Sequence, residues 1–517
     1  MPDASKTIIM LAAENDSLVN GKVGGLADVI RDLPNALADF GYQVIVITPA
    51  YGFLHKDNPS KILSTINFPF AGKTTEGELW DVTPKHPKQN VIHLVFEHPE
   101  IRGDKIYSQD PPSQPFAQDA TKFALFCSAI GQYIKTIPSS TIIHLHDWHM
   151  GAFNLLRELH PDFKHLKKHK VVFTIHNLGY QGNRPINGKR ASVEQWFPEL
   201  FKDSDWIDKW KDPRYTEPQF TPLAAGIRFS EKINTVSSTY AEEILKPSDH
   251  KNGFYGGEGL EQFLRKKKEE SSLFGILNGI EYPLQNKNQP ISFLDLCNLS
   301  IKEILSDSQS DTFSKKVIER LGNIKSMQPS VILTSVTRVT EQKVRLLLEP
   351  GIKKLTALDE ILTHLEKVNG FYFLLGNGPR ELEVKFEKAF SKHKRLVFIK
   401  LYSNKIGNML YGNGTIFLMP SSFEPCGISQ MIAMQNGQPC IVHATGGLKD
   451  TVIDEVTGFQ FRGDTIQEKV DNLFSVTKKA IDIYLTDKMK WEKIKLEAAS
   501  ARFEWSKSAK QYIDLLY

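Results

Sequence analysis

The chain has 517 residues, 41% hydrophobic and 24% charged, which is enough for two or three domains with a sizeable core. A net charge of +4 over that length makes no case for nucleic acid as a partner, and no apolar run reaches membrane length. Four separated cysteines, Cys127, Cys297, Cys426 and Cys440, form no C-x-x-C pair, which fits a reducing, cytoplasmic compartment and no structural zinc.

The opening MPDASKTIIMLAAEND turns acidic directly after a short apolar run, so it reads as a first strand, Lys6–Ala12, and not as a signal peptide or anchor. A loop with Glu14 and Lys22-Val23-Gly24-Gly25 follows, then an amphipathic helix over Val29–Phe40. Glycines between strand and helix let backbone approach a ligand, and Lys22 adds positive charge. The pattern is that of a phosphate cradle, but neither G-x-G-x-x-G nor a Walker loop. Further strands are expected at Gly41–Ala50, Asn90–Glu97, Thr141–Leu145, Lys170–Ile175, Lys232–Val236 and Leu273–Leu277.

Several of these strands end in polar clusters. Thr141–Leu145 runs into His146-Asp147-Trp148-His149, and Lys170–Ile175 into His176-Asn177. His144, His146 and His149 admit three roles. They are a metal site, which lacks a further ligand cluster of the expected spacing, packing groups behind a site, or a strand end that binds a polyhydroxy ligand with Asp147 as acceptor. Lys232–Val236 leads into Ser237-Ser238-Thr239-Tyr240, a helix cap, and Leu273–Leu277 into Asn278-Gly279.

Glu281–Gln328 is polar and reads as a surface linker with one helix around Phe313–Gly322. A second strand–helix series follows, with strands at Ser330–Val336, Gly370–Leu375, Arg395–Leu401, Gly414–Met419 and Pro439–His443. Two alternating α/β runs around a polar linker predict two doubly wound, Rossmann-like domains. In such sheets the ligand crevice lies at the carboxyl ends of the strands. Arg338 and Lys343 fall there after the first strand of this half, as a candidate phosphate clamp or as a solvated helix start. Glu424 falls there within Phe423-Glu424-Pro425-Cys426-Gly427, and Thr445-Gly446-Gly447 follows the next strand. Helix N-termini at such points suit phosphate.

The motifs KVGGLADV, HDWH, TIHNLGYQG, TVSSTYAEEI, GILNGI, FEPCGISQ and TGGLKDTV stand in the order found in bacterial and plastid glycogen and starch synthases, which the chain resembles over nearly its whole length. The resemblance implies a GT-B fold, two doubly wound Rossmann-like domains facing a central cleft, and a retaining glycosyltransferase. It implies an N-terminal acceptor-side domain over 1–290 and a linker region over 291–328. A nucleotide-sugar domain would span 329–497, and a segment over 498–517 would cross back to the first domain. It implies glucose transfer from ADP-glucose or UDP-glucose to the non-reducing end of an α-1,4-glucan, with no cofactor, metal, membrane or nucleic acid and with an undefined oligomeric state. Glu424, His176, Asp147, Arg338 and Lys343 take the catalytic positions. Lys22, Gly24, Gly25, Asn177, Asn278, Cys426, Gly427, Ser429, Thr445, Gly446 and Gly447 take the substrate-binding ones.

The chain departs from the family pattern at Val23, where threonine is usual, at Ala224, where lysine is common, and at Val344, where glycine is usual. These leave the fold expectation intact and put rate and substrate preference in question. Competing expectations are a GT-B enzyme with a small or lipid-linked acceptor, and a non-catalytic glucan-binding homologue. A glycoside hydrolase would need a carboxylate pair, which Glu424 and Asp147 imitate, but would leave the phosphate-cradle loops without a purpose.

Overall fold

The computed structural model describes residues 6–188, 190–202, 205–282, 291–307 and 311–517. These form two compact units. The first holds the described residues up to Pro247, with Gly256–Gly279 and Glu504–Tyr517. The second holds Ser248–Tyr255 and the described residues from Ile280 to Phe503.

In the first unit, apolar runs such as TIIML and VVFTI are buried along their whole length. That is the signature of parallel strands covered on both faces. The strands are β1 (Thr7–Leu11), β2 (Gln43–Pro49), β3 (Ser60–Phe70), β4 (Lys73–Val82), β5 (Val91–Glu97) and β6 (Ile142–His146). β7 (Val171–Ile175), two short pieces β8 (Arg184–Pro185) and β9 (Gln219–Phe220), β10 (Lys232–Thr235) and β11 (Leu273–Gly275) complete the set. Nine of them make one sheet in the order β11-β10-β7-β6-β1-β2-β5-β4-β3. The chain builds outward from β1 on one side and returns to its other side with β6. The reversal point therefore lies between the carboxyl ends of β1 and β6.

β3 and β4, absent from the strands expected from sequence, form an antiparallel hairpin. Its two-residue turn is Ala71-Gly72, both at positive φ (52° and 74°), which matches the twist of the flanking strands.

The helix Trp505–Leu515 and Tyr517 belong to the first unit. Trp505 Nε1 donates to the buried Asp32 carboxylate at 3.0 Å, and Ser508 Oγ to the Leu277 carbonyl at 2.6 Å. Asn234 Nδ2 donates to Tyr512 Oη at 2.8 Å, so the polar groups this helix covers are satisfied.

The second unit contains β12 (Ile332–Val336), β13 (Phe371–Leu375), β14 (Leu396–Ile399), β15 (Ile416–Met419), β16 (Cys440–His443) and β17 (Gly458–Phe461). All pairings are parallel, in the order β14-β13-β12-β15-β16-β17. Counted from β12 this is 3-2-1-4-5-6, the dinucleotide-fold order, with its reversal between β12 and β15.

The stretch 281–328, expected to be a polar linker with one helix, carries two, Phe293–Ser306 and Thr312–Ile324. Leu296, Ser300 and Ile304 recur every four residues, so the first helix has a buried face, and Leu296, Cys297 and Ile304 join the second unit's core. Residues 283–290 and 308–310 of that stretch lie outside the described residues. Among the described residues no helix is long and apolar enough to cross a membrane.

Candidate active site

At the reversal point of the second unit, β12 ends at Val336 and the chain turns through Arg338 into the helix Glu341–Leu348. Gly376 and Gly378, after β13, touch the carbonyls of Thr337 and Val339 where a Cβ would sit, so only glycine permits this approach. The Val339 amide donates to the Asn377 carbonyl at 2.9 Å, which fixes the Arg338 loop from that side. Arg338 itself is exposed, and its guanidinium makes no hydrogen bond or ion pair among the described residues.

Lys343, one helical turn on, is not free. Its ammonium bonds Oε2 of Glu424, which also accepts from Ser421 Oγ at 3.1 Å. Glu424 is 6% exposed, so its charge needs these partners. The neighbouring Gln342 grips the same loop: its Nε2 donates to the Phe423 carbonyl and its own carbonyl accepts from the Ser422 amide, both at 2.9 Å. The two loops expected to flank the crevice are thus one hydrogen-bonded assembly.

The Thr445-Gly446-Gly447 turn packs beneath that assembly. The Gly447 amide donates to the carbonyls of Glu424 and Pro425, each at 3.1 Å. A side chain at either glycine would run into the backbone of Glu424 or Cys426. The sequence suggested that this turn offers amides to a phosphate; in this structure the Gly447 amide holds the Glu424 loop instead. Cys426 is buried, Gly427 takes a left-handed φ of 78°, and Ser429 Oγ reaches the Val336 carbonyl at 3.4 Å. Cys426, Gly427, Ser429, Thr445, Gly446 and Gly447 therefore all belong to the cluster around Glu424.

At the reversal point of the first unit, β1 leads to Glu14. Its Oε2 accepts the amides of Val23 (2.7 Å) and Gly24 (2.5 Å), and its Oε1 accepts Tyr107 Oη at 2.7 Å. The Lys22–Gly25 loop is thus wrapped around a carboxylate of the chain itself, an anion nest already filled. Lys22 Nζ lies 2.5 Å from Asp28 and 3.7 Å from Asp16. Burial works against the Lys22 ammonium, but Asp28 and Asp16 outweigh it and hold its pKa above the ordinary value. Glu14 was not singled out from sequence, where an acid beside a glycine loop carries no distinguishing signal.

β6 is followed directly by Asp147, whose φ of 58° is unusual for a non-glycine residue. Its Oδ1 accepts the amides of His176 (2.7 Å) and Asn177 (3.4 Å), so it ties the end of β6 to the end of β7. Burial pushes the Asp147 carboxyl up to about 7 against those two donors, and Glu14 adds to the rise. Asn177 Oδ1 accepts the Gly179 amide at 2.9 Å, shaping the turn that presents His176.

The three histidines before and after Asp147 pack behind this point. His144 bonds Tyr517 Oη and Thr174 Oγ1, both at 2.7 Å. His146 Nδ1 lies 3.0 Å from His176 Nε2, and His149 stacks on Tyr107 with ring centroids 5.4 Å apart. Burial lowers His144, His149 and His176 to about 3 and holds His146 well below its ordinary value, so all are neutral at ordinary pH. Among the described residues no three His, Cys, Asp or Glu side chains are arranged to hold a metal ion. Asn278, past β11, is buried, and its Oδ1 has no hydrogen-bond partner among the described residues.

A cavity of about 810 Å³ in the first unit is lined by Lys22 and Val23 together with Phe53, Arg102 and Lys105. Phe53, Arg102 and Lys105 were not singled out from sequence, although Ala50–Phe53 directly follows β2 and so falls at a strand's carboxyl end. The departures have local accounts. Val344 is fully buried in the second unit's core, Ala224 is buried, and Val23 is exposed and serves Glu14 through its amide.

A family model described as the starch synthase catalytic domain matches residues 7–266, and one described as glycosyl transferases group 1 matches residues 338–483. A glycogen synthase of Caldicellulosiruptor saccharolyticus is 31% identical over 97% of this chain and 98% of its own. One of Desulfitobacterium hafniense is 31% identical over 96% of this chain and 95% of its own. The catalytic domain of starch synthase IV from Arabidopsis thaliana superposes with a TM-score of 0.75 at 23% identity, covering 98% of both chains. Sucrose-phosphate synthase from Thermosynechococcus elongatus does so at 0.54 and 15% identity, covering 99% of this chain and 98% of its own. The chain belongs to the starch and glycogen synthase family, glycosyltransferases of the two-domain GT-B fold.

Proposed function

We propose that this enzyme transfers glucose from ADP-glucose to the non-reducing end of an α-1,4-glucan with retention at the anomeric carbon. The observation that carries the proposal is the assembly at the second unit's reversal point, where the Lys343–Glu424 pair follows a loop holding Arg338, exposed and without a side-chain partner among the described residues. Arg338 offers a planar fork to diphosphate oxygens, and Lys343 a point charge on the same group. Both act where negative charge develops as the donor's glycosyl–oxygen bond breaks. Glu424 accepts hydrogen bonds from the donor's sugar hydroxyls and keeps Lys343 in place until the phosphate arrives.

In the first unit, His176 and Asn177 hold sugar hydroxyls, and Asp147 fixes the backbone of both. The cavity beside Lys22 takes the glucan, with Phe53 as an apolar face and Arg102 and Lys105 as donors to its hydroxyls. No covalent nucleophile is needed: the acceptor hydroxyl attacks on the face the diphosphate leaves, and the leaving phosphate oxygen takes the hydroxyl proton. The starch synthase IV structure is bound to ADP and acarbose, which supports an adenine-nucleotide donor and a glucan acceptor.

Incubation with labelled ADP-glucose or UDP-glucose, with and without glycogen, tests the proposal. Label from ADP-glucose entering the polymer is expected. Label confined to small acceptors would favour a different acceptor, and no transfer from either donor would overturn the proposal.

A further inference from the structure

The described side chains include several buried polar atoms without a partner, and one of them bears directly on His176. His146 Nε2 is buried and makes no hydrogen bond. The other ring nitrogen, Nδ1, lies 3.0 Å from His176 Nε2, the rings being stacked with centroids 5.3 Å apart. Behind His146 lies His144, 4.1 Å between ring centroids, whose own two nitrogens are both engaged, by Tyr517 and Thr174.

A neutral imidazole carries one N–H and one bare lone pair, so the His146–His176 contact has two arrangements. If His176 donated, His146 would accept at Nδ1 and carry its proton on Nε2, leaving an N–H buried with no acceptor. If His146 donates from Nδ1, only a lone pair is left unmet on its Nε2. Orphaned buried N–H groups are the rarer and costlier case. We infer that His146 is a positioning residue that donates from Nδ1 to His176 Nε2 and thereby fixes His176 as the Nδ1–H tautomer, a hydrogen-bond donor towards its ligand. The other nitrogen's bond sets the tautomer, as a carboxylate does for a metal-bound or catalytic imidazole. The inference rests on the proposed role of His176 in holding a sugar oxygen, but the tautomer itself does not depend on that role. His176 then serves a ligand oxygen with a lone pair to offer, and is unable to act as a base at Nε2.

The test is long-range 1H–15N NMR on the full chain labelled with 15N-histidine, with the His176 signals identified by their loss in His176→Asn. The expected spectrum shows His176 protonated at Nδ1 and bare at Nε2; protonation at Nε2 would overturn the inference. His146→Asn places an amide donor near the former Nδ1 and should keep turnover within about threefold of wild type, whereas His146→Leu should lower it roughly tenfold to a hundredfold through a misplaced His176. Equal turnover in His146→Leu and wild type would also overturn it. An Nδ1–H signal in a protein that transfers no glucose would sink the proposed function and leave the tautomer assignment standing.

Discussion

The Lys343 ammonium sits on the Glu424 carboxylate, and both side chains are largely buried, with 14% and 8% exposure. One charge therefore stabilises the other within the second unit, besides the donor-binding role proposed for both. Removing one partner of such a buried pair costs about 3–5 kcal/mol, because the survivor is left uncompensated.

Lys343→Ala and Glu424→Ala should each lower thermal stability as well as turnover. The double variant should recover part of the stability but none of the turnover, since the two are coupled. Melting curves and initial rates on the three variants check this. Unchanged melting temperatures for both single variants would show that the pair does no structural work.

Arg338→Ala should behave differently. The guanidinium has no partner among the described residues, so stability should stay within about 0.5 kcal/mol of wild type. Loss of one donor aimed at developing negative charge should cost roughly 2.7–4 kcal/mol, a hundred- to a thousandfold in rate. Arg338→Lys should rescue only part of it, because lysine lacks the bidentate fork. Kinetics with ADP-glucose varied at saturating glycogen separate this from a solvated helix start, for which turnover would be normal.

Asp147 should give stability a pH dependence of one sign. Burial raises its carboxyl from 3.8 to about 7, so the folded state favours the protonated form. Its contribution is fully present below pH 3.8 and is lost as pH rises to about 7, at up to about 1.4 kcal/mol per unit. Asp147→Asn, which keeps an acceptor for the His176 and Asn177 amides, should therefore gain stability relative to wild type as pH rises through that window. Urea titrations of both proteins at pH 5 and pH 8 read it directly; a pH-independent difference would contradict the cause given.

The buried histidines act with the opposite sign. His144, His149 and His176 are lowered from 6.5 to about 3, and His93 to about 4. Their stabilisation is complete above pH 6.5 and is lost as pH falls, because the unfolded chain takes up protons that the folded one does not. Each adds up to about 1.4 kcal/mol per unit, so together they should outweigh Asp147 and make the first unit acid-labile below about pH 6. Denaturant midpoints measured between pH 4 and pH 8 check the slope.

Much of this was legible in the chain. Apolar strands ending in polar or glycine-rich turns marked the strand carboxyl ends, and Arg338, Glu424, Asp147 and His176 follow β12, β15, β6 and β7, with Lys343 in the helix that opens after β12. What was hidden depends on pairing across distance. Nothing near Glu14 announces that it fills the Val23–Gly24 nest, and nothing near Lys343 that Glu424, far along the chain, neutralises it. Ser248–Tyr255 joins the second unit through Lys469 Nζ, 2.6 Å from the Asn252 carbonyl, and Tyr255 stacks on Phe423. That segment has no local sign of where it packs. The β3–β4 hairpin was overlooked because its turn is Ala-Gly, not the Asn-Gly or Asp-Gly pair that signals such turns most strongly.

Retaining glucosyl transfer is tested most directly by product stereochemistry. The wild-type enzyme is incubated with ADP-glucose carrying 13C at the anomeric carbon and an α-1,4-linked maltooligosaccharide, and the new linkage is read by NMR. Labelled α-1,4-linked glucose at the non-reducing end, absent or strongly reduced with Arg338→Ala, is the predicted result. A β-linked product, or release of free labelled glucose with no linkage formed, would contradict it.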